Sequence, residues 1–400
     1  MWLLPFYIII VGVLIYLTAA TLYLLVLAVV YFVIREPETI GSTKLNRFAI
    51  LVPAHNEEVL IGKLCDTLLL IQYPTEMHKI YIIADNCSDK TADICAVYPL
   101  TVLTRSDQER VGKGYAIKWA LDRVPLEKFD AVLMVDADSH VDPFILEELN
   151  KLINRGEQAI QCNNSVGNRY DSWFTQLLFV SRTIGNLLYH HSKYKLGLSS
   201  YLMGNGICFN TNLLLRKRWA AFSVGEDWEY YAQLIGDGVK IGFAVKAKVY
   251  HQESRSLEQA TSQRLRWSSG RFNVLNQLGF KLFLKGLTKR SWFTLDASLP
   301  LIFPNYSLQI NLIVLTLIIC FCMPASDFKK ISIGVGVFLF FSQVMLFLAG
   351  AYLAGAYWEV FKALLYAPLF LIWKAIIDFL SITRIYRGKQ WVRTERHSPR

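Results

Sequence analysis

The sequence predicts an α/β domain with a mostly parallel sheet, bracketed by helices that span a membrane. Three observations lead there. Across residues 48–248, short β-branched runs alternate with helical periods, the pattern of a sheet covered on both faces. Residues 2–34 contain no charged side chain, and a bilayer core needs only about 20 apolar residues. Two more apolar spans, residues 299–323 and 331–355, follow the domain.

The first span has neither the basic start nor the short apolar core of a signal peptide, and no turn residue divides it. One tilted helix is expected rather than a hairpin. A linker then leads to runs that read as strands: FAILVP, KIYIIAD, LTVLT, DAVLMVD and QAIQC. Between them EEVLIGKLCDTLLLI, GKGYAIKWALDRV and PFILEELNKLI carry helical periodicity. In such a sheet ligands bind beyond the carboxyl ends of the strands. A last segment, from Tyr357 onward, is apolar but carries Glu359, Lys362, Lys374 and Asp378 within one half of a helical wheel. That face suits a helix lying flat in the interface, and a fourth crossing is the alternative.

The net charge is +10, but the basic residues lie beside apolar segments, as at Arg35, Lys44, Arg47, Lys281, Lys285, Lys289 and Arg290. That placement fits the positive-inside rule and anionic headgroups and argues against nucleic acid. It also puts the α/β domain in the cytoplasm of a multi-pass protein of the cell membrane. The seven cysteines show no zinc or disulfide spacing, which suits a reducing compartment.

Polar clusters follow the strands. Pro53-Ala54-His55-Asn56-Glu57-Glu58 and Ala84-Asp85-Asn86-Cys87-Ser88-Asp89 are placed to meet a base and ribose, although Asn56 and Ser88 also suit helix caps. Asp136 and Asp138 flank Ala137 after an apolar strand, an arrangement for a divalent cation with hard oxygen ligands or for a helix cap. In Arg110-Val111-Gly112-Lys113-Gly114 the glycines would let backbone approach a ligand while Lys113 adds charge; Walker spacing is absent. Glu226 and Asp227, in GEDWE, open a helix where a carboxylate serves either as a dipole complement or as a general base. In TSQRLRWSSGR, Gln263, Arg266 and Trp267 share one helical face, with Arg264 on another where alanine should be tolerated. That face reads either as an interfacial anchor or as a hydroxyl, phosphate and stacking surface.

The ordered set PAHNEE, ADNCSD, GKG, DAD, GED and QRLRW resembles membrane-embedded family 2 glycosyltransferases. That group includes synthases of cellulose, hyaluronan, poly-N-acetylglucosamine and chitin oligosaccharides. The resemblance implies a GT-A (Rossmann-like) domain, a UDP-sugar donor, Mg2+ or Mn2+, and inversion at the anomeric carbon. It implies that Pro53, His55, Glu57, Asp85, Lys113, Asp136 and Arg266 bind the donor and that Asp138, with Asp136, holds the metal. Asp227 would be the catalytic base beside Glu226, with Gln263 and Trp267 meeting the acceptor. Gly225 stands where the family more often has Thr, removing one hydroxyl contact. Trp391, Arg393, Thr394 and Arg396 resemble a tail motif that folds over the donor, or form a basic anchor. His251 reads as an additional metal ligand or, more simply, as a packed histidine.

The expected division is an N-terminal membrane helix (residues 1–35) and a glycosyltransferase domain (44–255). The QxxRW and interfacial helices follow (256–298), then two membrane helices (299–356), then an interfacial or fourth membrane helix with a basic tail (357–400). The expected reaction extends a polysaccharide or oligosaccharide chain at the membrane; the alternative is one sugar added to a lipid-linked acceptor. So few spans favour a short product, a helper subunit or a homo-oligomer. A transporter or scaffold with a degenerate domain would lack acids at Asp85, Asp136, Asp138 and Asp227, and all four are present.

Overall fold

A computed structural model describes residues 4–35, 44–355 and 357–383; the tail motif Trp391-Val392-Arg393-Thr394 with Arg396 lies outside them. Helix α1 (Leu4–Val33) is continuous and, at about 1.5 Å per residue, longer than a bilayer core. Strand β1 (Phe48–Ala54) then enters the α/β unit, followed by α2 (Ile61–Leu69), β2 (His78–Asp85), α3 (Thr91–Ala96), β3 (Thr101–Arg105) and α4 (Lys113–Leu121). Next come β4 (Ala131–Met134), β5 (Ser139–Val141), α5 (Ile145–Asn154) and β6 (Ala159–Val166). Helix α6 (Trp173–Thr183) runs through a π-helical segment, Ile184–His191, into α7 (Ser192–Lys195). After β7 (Ile207–Asn210), α8 (Thr211–Arg216), α9 (Glu226–Gly236) and β8 (Ile241–His251) comes the long α10 (Leu257–Val274).

The sheet order is β3-β2-β1-β4-β7-β6-β8-β5. Each sequence-predicted strand is present, and β1 to β4 are parallel neighbours. The other half is mixed: β7 runs antiparallel to β4 and β6, and β5 antiparallel to β8. The central strands are buried on both faces: Phe48, Ile50, Val52 and Leu133 pack on the α2 and α5 side, Ala49, Leu51 and Val132 on the α4 and α9 side. Each such branched side chain contributes about 1.5–3 kcal/mol by burial. This rigid slab holds the carboxyl ends of β1, β2 and β4 at one edge. Asn56 and Asn86 take left-handed conformations there, which Asn tolerates. Asn56 and Ser88 cap no helix: Asn56 Oδ1 accepts from Ser88 N at 2.7 Å and ties the two loops together.

Beyond α10 lie α11 (Phe280–Thr288), α12 (Trp292–Ile302), α13 (Tyr306–Phe321), α14 (Asp327–Ala354), α15 (Tyr357–Leu364) and α16 (Ala367–Thr383). Among the described residues, α1 and α14 are each long and apolar enough to cross a membrane. The straight span expected at residues 299–323 is instead a bent pair, α12 and α13, meeting at 70°. Pro304 has no N–H to continue α12 and pushes Phe303 into an extended conformation, while Asn305 caps α13 through Leu308 N. Arg271 donates to the carbonyls of Pro300, Leu301 and Phe303, so the freed end of α12 is satisfied by the membrane-proximal end of α10.

The charged face of α16 does not meet headgroups at Lys374 and Asp378. Both are buried against α10, paired with each other and with Ser268. Trp373 Nε1 donates to Thr261 Oγ1 at 3.0 Å along the same seam. A buried charge needs a partner of this kind, whatever surface the helix wheel suggests.

Candidate active site

At the strand ends a cleft of about 820 Å³ opens. Pro53, His55 and Glu57 reach it from the end of β1, Asp85 from β2, and Lys113 from the start of α4. Asp136 and Asp138 reach it from β4, Glu226 and Asp227 from the first turn of α9, and Gln263, Arg266 and Trp267 from α10. All twelve side chains to which the resemblance gave donor, metal, base or acceptor roles therefore line one space.

The chemistry within it is uneven. Lys113 Nζ donates to Asp136 Oδ1 and to the Gly204 carbonyl, both at 2.5 Å, with Glu226 Oε1 at 3.6 Å. Burial disfavours its charge, but Asp136 and Glu226 outweigh that and raise its pKa. Burial pushes Asp136 up against the pull of Lys113, and the Asp138 charge adds to the rise. Burial, reinforced by Glu226, lifts Asp227 to about 7, so its carboxyl titrates near neutral pH. Asp85 is not bare: Arg105 Nη1 donates to it at 2.5 Å, and His55 Nδ1 meets the Asp85 carbonyl at 2.7 Å. Burial raises its pKa in spite of Arg105.

In GEDWE the acids divide. Glu229 turns away and accepts from the Phe222 and Ser223 amides, closing the loop before α9. Gly225 packs against Gly270 of α10, where an added Cβ would lie 3.0–3.2 Å from backbone atoms. At Gly225 the first turn of α9 and α10 touch backbone to backbone, which leaves no room for a side chain. Gly225→Thr is expected to cost about 1–3 kcal/mol by overpacking, read as a lower Tm in detergent. Gly114 lines the cleft and also serves packing: the Ala221 carbonyl lies 2.2 Å from where its Cβ would be.

Along α10 every face is used. Gln263 is buried, and its Oε1 has no hydrogen-bond partner among the described residues. Arg264 points away from the cleft as expected, but into a buried ion pair with Glu253 at 2.5 Å. Tolerance to alanine is therefore not expected. Breaking a buried pair strands the other charge, and Arg264→Ala should lose about 3 kcal/mol of stability, seen as a Tm drop that salt does not reproduce. His251 is packed, with Nδ1 2.8 Å from Asn164 Oδ1 and Nε2 2.9 Å from Glu253 Oε1, both acceptor oxygens.

A metal site is tested by the donor set. Among the described residues no three His, Cys, Asp or Glu side chains gather to hold an ion. Magnesium and manganese need fewer, because one or two carboxylates plus substrate phosphates complete the shell. Asp136 and Asp138 line the cleft together and fit that requirement. Sequence reasoning missed Arg182, Tyr201 and Trp228, which line the same cleft; Tyr201 and Trp228 stack at 4.7 Å. Arg182 left a signal: it is the only Lys, Arg, Asp or Glu in the run WFTQLLFVSRTIGNLLYHHS.

A model described as "Glycosyltransferase like family 2" matches residues 46–270. A β-monoglucosyldiacylglycerol synthase of Trichormus variabilis is 32% identical over 164 residues, covering 40% of this chain and 34% of that protein. Probable glycosyltransferase YdaM of Bacillus subtilis is 22% identical over 236 residues, covering 57% and 56%. The chain thus spans about a third to just over half of the length of these curated relatives. Mannosyltransferase PcManGT from Pyrobaculum calidifontis, solved with GDP-Man and Mn2+, has TM-score 0.60 and 17% identity over 95% of this chain and 100% of that one. At that identity the likeness is one of fold, a GT-A-like α/β sheet.

Proposed function

The chain belongs to the glycosyltransferase-like family 2, and from that membership we propose that it moves one hexose from a UDP-sugar to a hydroxyl of a membrane lipid, with inversion. The observation that carries the reading is the position of Asp227: a half-buried carboxylate, its pKa raised by desolvation and by Glu226, in a cleft shared with Asp136, Asp138 and Arg266. A lipid acceptor is favoured over a growing glycan because α1, α14 and at most one bent pair offer too few crossings for a pore among the described residues. The names of the glucosyldiacylglycerol synthase relatives support the same choice.

In this mechanism Asp227 takes the proton of the acceptor hydroxyl as that oxygen attacks the anomeric carbon. Arg266 meets the departing diphosphate, and Lys113 holds Asp136 in place. A divalent ion held by Asp138 and Asp136 would supply charge neutralisation of the diphosphate. His55, Glu57 and Asp85 line the nucleoside end. Gln263, with its unspent acceptor, and Trp267 receive the acceptor.

These roles separate by substitution. Arg266→Ala should weaken UDP binding by about tenfold or more, since a charge-assisted contact to phosphate is lost. Trp267→Ala should leave UDP affinity within about twofold and remove transfer, because the stacking surface goes. Calorimetry with UDP and manganese, alongside turnover, distinguishes them; equal salt-sensitive losses would mean that α10 is only a headgroup anchor. The function is tested with the full chain in detergent, a panel of UDP-sugars, magnesium or manganese, and dioleoylglycerol or cello-oligosaccharides as acceptors. Mass spectrometry should show a single hexose on the lipid. A ladder of lengthened oligosaccharides would overturn the lipid reading in favour of a polymerase.

A further inference from the structure

Outside the cleft lining, linked to the Trp267 ring through two arginines, lies the carboxylate already met as the partner of Arg264 and His251. Glu253 is 2% exposed and sits just past the end of β8. Its backbone is held on both sides by one amide: Glu253 N donates to Asn168 Oδ1, and Asn168 Nδ2 donates to the Glu253 carbonyl, each at 2.9 Å. Its side chain collects basic partners from separate elements. Arg264 of α10 meets Oε2 at 2.5 Å, His251 of β8 meets Oε1 at 2.9 Å, and Arg182 of α6 reaches Oε1 at 3.6 Å. Both guanidiniums also approach the Trp267 ring, Arg264 at 4.7 Å and Arg182 at 6.0 Å from its centre.

We propose that Glu253 is the positioning residue of the acceptor end of the cleft, holding Arg182 and the Trp267 ring in the arrangement that receives the acceptor. This rests on the reading of Asp227 and Trp267 given above. A buried ion cluster is a poor way to add stability, because desolvation offsets most of the attraction. It is a good way to fix long side chains, because each partner loses its rotamer freedom to one anchored group. Burial alone would raise the Glu253 carboxyl, but Arg264, His251 and Arg182 outweigh it and hold it well below the usual range. The anchor therefore keeps its charge throughout the working pH range. Arg182 is the member that enters the cleft, and its carboxylate contact is long, so its donors are not consumed there. They are placed to meet acceptor oxygens beside the indole.

The test uses the full-length protein in mixed micelles with UDP-glucose, and two acceptors, dioleoylglycerol and octyl glucoside. If UDP-glucose serves neither acceptor, the UDP-sugar that serves in the panel above takes its place; transfer from none of them would defeat the proposed function and this inference with it. On whichever acceptor wild type uses, Glu253→Gln should raise the acceptor KM by about tenfold. UDP affinity and the slow hydrolysis of UDP-glucose without acceptor should stay within about twofold. Should Glu253→Gln fail to fold, Arg182→Ala carries the test, since it leaves the Arg264 pair intact; the same split between acceptor KM and donor hydrolysis is expected. Parallel loss of UDP binding, hydrolysis and transfer in a folded variant would make Glu253 a structural residue only. An unchanged acceptor KM would also overturn the proposal.

Discussion

Asp227→Asn is expected to lower turnover by at least about a hundredfold while UDP affinity in the presence of manganese stays within about twofold of wild type. The amide keeps the shape of the side chain and its contact with the Trp228 amide, but cannot take a proton. The same environment sets the pH dependence. A base with a pKa of about 7 is half protonated there, so wild-type turnover should rise as pH climbs from 6 to 8. Stability should run the other way. The folded chain holds the Asp227 proton up to about 7, whereas an unfolded Asp releases it near the ordinary carboxylate value of about 4. The stabilisation from the neutral form is complete below about 4 and is lost as pH rises through about 7. Asp227→Asn, neutral throughout, should therefore gain Tm over wild type at pH 8 and lose most of that advantage by pH 5. Turnover flat between pH 6 and 8, or UDP affinity that collapses while turnover per bound donor is unchanged, would make Asp227 a donor ligand instead of the base.

The parts of the molecule that were legible in the sequence are those whose signal is local. Strands β1 to β4 announce themselves because strand and helix alternate, and a parallel sheet requires that alternation. The strand β7, four residues long, has no such frame around it, and its antiparallel pairing with β4 depends on chain reversals far apart in sequence. The cleft residues were legible for a related reason: the ends of parallel strands are where polar side chains in an apolar chain have nowhere else to point. What lies behind them was not. Arg264 shares a helix with Arg266 and differs by direction alone, and its partner Glu253 lies in a loop. The helix wheel of α16 correctly grouped Lys374 with Asp378, but a wheel shows neither solvent nor neighbour. Only the packing of α16 on α10 turns that face inward. The bend at Pro304 carried a local signal, Pro after an apolar run, which the length of the run obscured.

Asp138→Ala is expected to reduce activity to below about a hundredth of wild type while leaving the fold and Tm nearly unchanged. The fold should survive because Asp138 is a half-buried side chain lining the cleft past the end of β4, where the Ser139 hydroxyl donates to it at 3.4 Å. Asp136 cannot substitute for it, since Lys113 already occupies one of its oxygens. The effect should appear in binding as well as in turnover. In wild type, manganese should tighten UDP, because two carboxylates and a diphosphate together make an oxygen shell that neither makes alone. In Asp138→Ala, UDP affinity should no longer depend on manganese, and the residual affinity should equal that of chelator-treated wild type. Arg266→Ala, by contrast, should weaken UDP binding with or without the ion, since the guanidinium needs no metal to meet a phosphate. Calorimetric titration of UDP into the three proteins, with manganese and with EDTA, distinguishes these patterns. Full activity in Asp138→Ala, or in wild type after chelation, would remove the ion from the reaction and leave the diphosphate to Arg266 and Lys113 alone.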